Sequence, residues 1–222
     1  VRKRTSRRKR TTFRPQSLLR VGFPKTTMVK LRYVSGVSLD STIGNVATYT
    51  FRANSIFDPD FSGIGHQPMN HDTWATLYNH YVVVGSKVTV TFHNPTTTGN
   101  DGLLCGVNLH AGSALASTVV ETIMEQGTTR YKLVNASLSA NRGNGAVVRR
   151  GFSCKKFFNL ANPTDGITRI GSAQGANPAE QAFFIIFCGA PPASSADYGA
   201  VQATVVIDYI VIYSEPIEQP QS

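Results

Sequence analysis

The first 39 residues contain no Asp or Glu; the acids begin at Asp40. A balanced charged surface is therefore excluded over this stretch. Ten of the 22 Lys and Arg lie in residues 1–25, while residues 26–222 hold the other twelve and all 13 acids, a net of −1. The formal charge of +9 thus belongs to a cationic tail on a near-neutral body, and a polyanionic partner is expected for the tail. Cysteine is scarce and odd in number: Cys105, Cys154 and Cys188 show no framework spacing. A disulfide scaffold is unsupported, and three buried free thiols in a reducing compartment are expected. Long apolar runs are missing too. The longest, residues 182–188, is strand-sized and far short of the ~20 residues of a membrane-spanning helix, so no membrane insertion is expected. No apolar segment follows the basic stretch as it would in a secretory signal, and Pro15 with the lack of an amphipathic pattern argues against a transit peptide.

Chemistry-bearing patterns are also sparse. The five histidines, His66, His71, His80, His93 and His110, form no His-x-His or Glu-x-x-His pattern, and no Cys-x-x-Cys occurs. Ordinary loop and strand histidines are the better reading than metal ligands. Gly63-Ile64-Gly65-His66-Gln67-Pro68 starts like a phosphate loop but ends on Pro68, and there is no Gly-x-Ser-x-Gly elbow. Cys154 precedes Lys155-Lys156, which could activate a thiol, but a structural strand cysteine is favoured. Asp58 and Asp60 flank Pro59. Such a pair can serve as a metal site, holding Ca²⁺ at a subunit contact, though serving loop N–H groups is its commoner use. The chain therefore reads as no enzyme, with no cofactor.

What is abundant is β pattern. Residues 201–213 alternate, with Val201, Ala203, Val205, Ile207, Tyr209, Val211 and Tyr213 in phase. Residues 28–34 place Val29, Leu31 and Tyr33 opposite Lys30 and Arg32. Residues 46–53 place Ala47, Tyr49, Phe51 and Ala53 together. Residues 82–93 place Val82, Val84, Val88, Val90 and Phe92 on one face. Residues 103–109, 128–134 and 146–157 are further strands, and 182–188 reads as a strand buried on both faces. Two helices are expected in loops: one capped by Asp72 with Trp74, Leu77, Tyr78 and Tyr81 at helical spacing, and one opened by a Thr118–Glu121 capping box. Trp74 should serve packing. Turn-rich segments separate these elements, at 94–102, 141–145, 162–163 and 189–199. Eight strands with helical excursions and no internal repeat predict an all-β, eight-stranded jelly-roll sandwich over 25–222, preceded by a basic arm over 1–24.

The arm carries the strongest functional signal: Arg2, Lys3, Arg4, Arg7, Arg8, Lys9, Arg10, Arg14 and Arg20, with Lys25, Lys30 and Arg32 continuing into the first strand. Such residues neutralise phosphates and release counterions without reading bases. Phe13 and Phe23 could stack on unpaired bases. The same run reads as a nuclear localisation signal, and the two uses are compatible. Arg149-Arg150 and Lys155-Lys156 form a second basic cluster. Whether it shares an inner surface with Lys30 and Arg32 or simply faces solvent stays open at this level.

Between Phe51 and Lys87 the sequence runs Phe51-Arg52-Ala53-Asn54-Ser55-Ile56-Phe57-Asp58-Pro59-Asp60, then Gly65-His66-Gln67-Pro68, Trp74, and Tyr78-Asn79-His80-Tyr81-Val82-Val83-Val84-Gly85-Ser86-Lys87. This stretch, about a sixth of the chain, resembles coat proteins of circovirus-like viruses, which have small circular single-stranded DNA genomes. The resemblance implies a jelly-roll subunit that assembles with copies of itself into a T=1 icosahedral shell of sixty subunits. It also implies packaging of single-stranded DNA, recognition by the host nuclear import machinery through the arm, attachment to a cell-surface receptor, and residence in the virion and the host nucleus. The arm is shorter and less Arg-rich than is typical of circoviruses. Sixty arms would still bring on the order of 600 positive charges, a sizeable fraction of the phosphates of a genome of one to two thousand nucleotides. The alternatives are a coat protein of a small RNA or satellite virus and a cellular jelly-roll nucleic-acid-binding protein. A secreted jelly-roll module would call for a leader, disulfides or use of the Asn135-Ala136-Ser137 sequon.

Overall fold

The computed structural model describes residues 23–95, 102–135, 145–192, 194, 197 and 199–218. Nine strands are found among them: β1 (Thr26–Asp40), β2 (Ala47–Arg52), β3 (Tyr78–His93), β4 (Leu103–His110), β5 (Thr129–Val134), β6 (Ala146–Ser153), β7 (Gly171–Ala173), β8 (Phe183–Gly189) and β9 (Ala200–Pro216). Eight of them form two antiparallel sheets, in the orders β1-β9-β3-β6 and β2-β8-β4-β5, with short β7 added beside β3. Pairing is nested: first strand with last, β2 with β8, β3 with β6, β4 with β5. A long antiparallel ribbon rolled around a core pairs its strands in this way, and the result is a double-sheet jelly roll.

Period-two alternation decides what lies between the sheets. In β9 every odd residue from Val201 to Tyr213 is buried, and it pairs along its whole length with both β1 and β3. From the facing sheet come Phe51, Phe184, Ile186, Cys188, Leu103, Cys105 and Val107. Each large apolar side chain so buried contributes about 1.5–3 kcal/mol. The second face of β8 is buried as well. Its Phe187 packs with Leu104, Val120 and Ile123 in a smaller cluster, and Phe61 meets Phe183 edge-on at 5.5 Å. The buried tyrosines keep partners for their hydroxyls where loops supply them: Tyr209 donates to the Arg52 carbonyl at 2.8 Å and Tyr81 to the Ala176 carbonyl at 2.8 Å.

Four features differ from the sequence pattern. The ladder from β3 to β9 slips between Val83 and Gly85, so Val84 is a bulge residue. The slip reverses the phase. Tyr81 and Val83, not Val82 and Val84, face the core with Val88, Val90 and Phe92, and Val82 is buried on the other side, paired with Gly171 of β7 in the same sheet. The first helix, α1 (His71–Ala75), is a single turn entered from Asn70, and Asp72 sits inside it instead of capping it. Tyr78 and Tyr81 are claimed by the β3 ladder, whose pairing begins at Tyr78–Pro216. The expected capping box fails as well. In α2 (Val120–Glu125) the N-cap is Val119, and its own N–H is bonded to the Ser117 hydroxyl. Finally, β6 ends at Ser153 and the chain turns into α3 (Cys154–Phe157). Phe152, Phe157 and Phe158 lock that corner with edge-on ring contacts at 5.1–6.2 Å. Cys154 is thus a buried helical residue, and with Cys105 and Cys188 it is a free thiol.

Candidate nucleic-acid interface

Of the basic residues singled out in the sequence, Arg2, Lys3, Arg4, Arg7, Arg8, Lys9, Arg10, Arg14 and Arg20 lie outside the described residues, as does the loop at 141–144. The arm joins the body at a fixed point. Tyr78, fully buried, donates its hydroxyl to the Pro24 carbonyl at 3.0 Å, and Lys25 follows, exposed, at the start of β1.

Alternation along β1 puts Lys30 and Arg32 on the outer face of the first sheet, opposite Leu31 and Tyr33. Register then brings in residues remote in sequence. Arg32 lies across from Asp208 of β9, and Asp208 across from Lys87 of β3; one step along, Val34, Val206, Thr89 and Arg149 form the next row. Four cations and Asp208 therefore share one face of the sheet, from edge strand β1 across to edge strand β6. Arg32 grips Asp208 with two bonds, Nε to Oδ1 at 2.8 Å and Nη2 to Oδ2 at 3.2 Å, and Lys30 Nζ stands 3.4 Å from Oδ2. The Arg32 hydrogen bond holds the Asp208 carboxyl below its ordinary range, with Lys30 adding to the effect. So Lys30 and Arg32, nominated as phosphate ligands, are partly neutralised within the fold. Arg149, whose place beside them the sequence left open, and Lys87, which sequence reasoning did not join to them, have no carboxylate partner among the described residues. Met28, Val34 and Ile210 on the same face are exposed.

The second basic cluster divides. Arg149 faces out, while Arg150 lies on the same side of β6 as buried Val148 and Phe152. Lys155 and Lys156 are in the turn of α3, not on a strand. Adjacent residues on a strand cannot share a face, and this separates the arginine pair.

Asp58 and Asp60 converge on a cation supplied by the protein. Arg52, 8% exposed, sends Nη1 to Asp58 Oδ2 at 2.8 Å, to the Asp58 carbonyl at 2.8 Å and to the Asp60 carbonyl at 3.1 Å. The Asp60 carboxylate accepts from the Ser62 N–H, the Ser62 hydroxyl and the Tyr49 hydroxyl at 2.7–2.9 Å. No group of three or more His, Cys, Asp or Glu that could hold a metal occurs among the described residues. The Gly63–Pro68 stretch is loop. Gly65 packs so tightly that an added Cβ would lie 2.6 Å from Asp60 Cβ and 2.8 Å from the Tyr33 hydroxyl oxygen.

No protein-family model and no curated protein matches the sequence. Among solved structures the chain is similar to that of Macrobrachium rosenbergii nodavirus, a semi-empty virus-like particle (9% identity, 100% of this chain and 96% of that one, TM-score 0.48). It is also similar to the 60-mer BFDV capsid protein (10%, 90% and 100%, TM-score 0.46) and to Desmodium yellow mottle tymovirus (14%, 91% and 94%, TM-score 0.43). At these levels of likeness the fold stands on the strand order and pairing described above.

Proposed function

We propose that the chain is a viral coat protein whose jelly-roll body tiles with copies of itself and whose basic arm holds the genome inside. The observation that carries this reading is the segregation of charge: ten bases and no acid in residues 1–25, on a body of net −1. A body close to neutrality can approach its own copies, while a cationic tail neutralises phosphates without sequence readout. Exposed apolar side chains on the body, among them Ile64 at 87%, Met69 at 79% and Met28 at 63%, supply surface to bury in subunit contacts. The resemblance over Phe51–Lys87 favours a circovirus-like particle: a T=1 shell of sixty subunits around circular single-stranded DNA, with nuclear import through the arm. In this reading residues 25–222 form the shell, and the loops at 94–102 and 141–145 and the segment 162–177, which carries β7, lie outside or at symmetry contacts. The protein resides in the virion and, during assembly, in the host nucleus. A coat protein of a small RNA virus has the same arm and the same fold, and only the cargo separates the two.

Negative-stain microscopy of the purified protein should show closed particles. Deleting residues 1–14 should leave particles that form but carry less nucleic acid, read as a fall in absorbance at 260 nm relative to 280 nm. Truncated particles with undiminished 260 nm absorbance, or a full-length protein that stays a lone subunit indifferent to DNA and RNA at low salt, would refute the reading.

A further inference from the structure

A cleft of roughly 430 Å³ opens at the edge of the sandwich where β5 and β6 face each other. Its wall comprises Leu109 and Thr128 from one sheet side and Arg150, Phe152, Lys156 and Phe157 from the other. Arg150 belongs to the core-facing row of β6, but β6 is the outermost strand of its sheet, so the side chain reaches the cleft and not the core. Its Nε is buried without a hydrogen-bond partner, which is costly for a guanidinium that has five donors to satisfy. The Arg130 side chain, from the facing strand β5, is close enough to repel it. Burial and then that repulsion both push the Arg150 guanidinium below its ordinary pKa. None of the ion pairs among the described residues involves Arg130, Arg150 or Lys156. Two cations, Arg150 and Lys156, thus line the cleft with no ion-paired acid among the described residues, beside a half-buried aromatic ring, that of Phe157, whose edge-on neighbours Phe152 and Phe158 fix its orientation.

We propose that this cleft holds one nucleotide of a single-stranded nucleic acid, with its phosphate on Arg150 and Lys156 and its base against Phe157. The site adds a built contact on the body to the diffuse contacts of the arm, and it rests on the reading of the chain as a coat protein that encloses nucleic acid. A phosphate satisfies the two unpaired cations in the bidentate manner that suits guanidinium, and it relieves the repulsion from Arg130. The aromatic wall favours a nucleotide over a sulfated sugar, because a base has a π-face to stack and a sulfated sugar has none.

The test uses the full chain and a single-stranded thymidine oligonucleotide carrying one 5-iodouracil. Irradiation and peptide mapping should find a crosslink in the peptide that contains Phe157, besides those in the arm. Phe157→Leu keeps the packing volume but should lose that crosslink and weaken binding on the order of tenfold. Arg150→Gln and Lys156→Gln should each lower the slope of log affinity against log salt, and the double variant by about 0.7, the amount for one phosphate contact on a single strand. Lys156 is exposed, so its variant folds whatever becomes of Arg150. Crosslinks confined to residues 1–22 with unchanged slopes would overturn the cleft and leave the coat reading intact. A sulfated oligosaccharide that protects Phe157 where the oligonucleotide does not would overturn it equally. Loss of all nucleic-acid binding together with the absence of particles would instead overturn the coat reading.

Discussion

Replacing Arg52 by Met should destabilise the subunit without touching the cationic face. The guanidinium makes four hydrogen bonds, to Asp58 Oδ2, the Asp58 and Asp60 carbonyls and Gln181 Oε1, and it lies 4.9 Å from the centre of the Phe61 ring. Methionine fills much of the volume but leaves those acceptors without a donor. Breaking a buried pair from one side costs about 3–5 kcal/mol. The Asp58 side chain is 22% exposed, so water can recover part of its solvation, which places the effect near the lower end, about 3 kcal/mol. For a domain of this size that lowers the melting temperature by roughly 6–12 °C. Arg52→Lys keeps the charge but not the fork of donors, and should fall between the two. The assay is thermal unfolding followed by the fluorescence of Trp74, the single tryptophan, at one fixed protomer concentration, because assembly would itself shift the midpoint. A fall of under about 2 °C for Arg52→Met would refute the claim that this arginine, in place of a bound ion, organises the Asp58-Pro59-Asp60 turn.

Two further outcomes are expected. Asp208→Asn releases Lys30 and Arg32, so single-stranded DNA should bind more tightly, with a salt slope steeper by up to about 1.4, at nearly unchanged melting temperature because the pair is solvent-exposed. The lowered folded-state pKa of Asp208 means that its ion pair stabilises above the ordinary carboxylate range, near 3.8, and is lost as pH falls through the lowered value. Acid titration of stability should therefore be steeper in the wild type than in Asp208→Asn, and equal slopes would contradict the pairing. Burial pushes the Cys154 thiol up to about 11, that of Cys188 up to about 12 and that of Cys105 further. A thiol–disulfide reagent at pH 8 should accordingly label none of them in the native protein and three per chain in denaturant, whereas rapid native labelling would show an open core.

Strand existence was legible wherever alternation was long. β9 and β1 follow their apolar period from end to end, and the unbroken run of β8 signals burial on both faces, which the helix α2 supplies. Local pattern misled where the ladder decided. Trp74, Leu77, Tyr78 and Tyr81 satisfy helical spacing, yet pairing of Tyr78 with Pro216 draws the last two into β3. Helical spacing and a strand entry can coincide over four residues, and only the partner strand resolves them. The Val84 bulge left no trace beyond Gly85, and the turn at Cys154 depended on three phenylalanines meeting in space. The cationic face was half legible. Charge counts found Lys30 and Arg32, but their counter-ion Asp208 lies 176 residues from Arg32. Lys87 and Arg149 join them only through the register of four strands.

The division of charge between arm and body has a physical consequence for assembly. Were the +9 spread evenly, each subunit contact in a closed shell would juxtapose cationic surfaces at separations below the ~8 Å screening length of physiological salt, and repulsion would oppose closure. With +10 in residues 1–25 and −1 on the rest, a body tiling as proposed would meet its neighbours close to neutral, and the repulsion among arms would be relieved by an enclosed polyanion. The Asp208 pair extends the same separation onto the sheet. Asp208 pairs with Lys30 and Arg32 of β1, while Lys87 on β3 and Arg149 on the opposite edge strand β6 have no carboxylate partner among the described residues. If the coat reading holds, shell closure and cargo binding are coupled through charge, so arm deletion and added salt should act on cargo in the same direction while leaving the jelly roll itself intact.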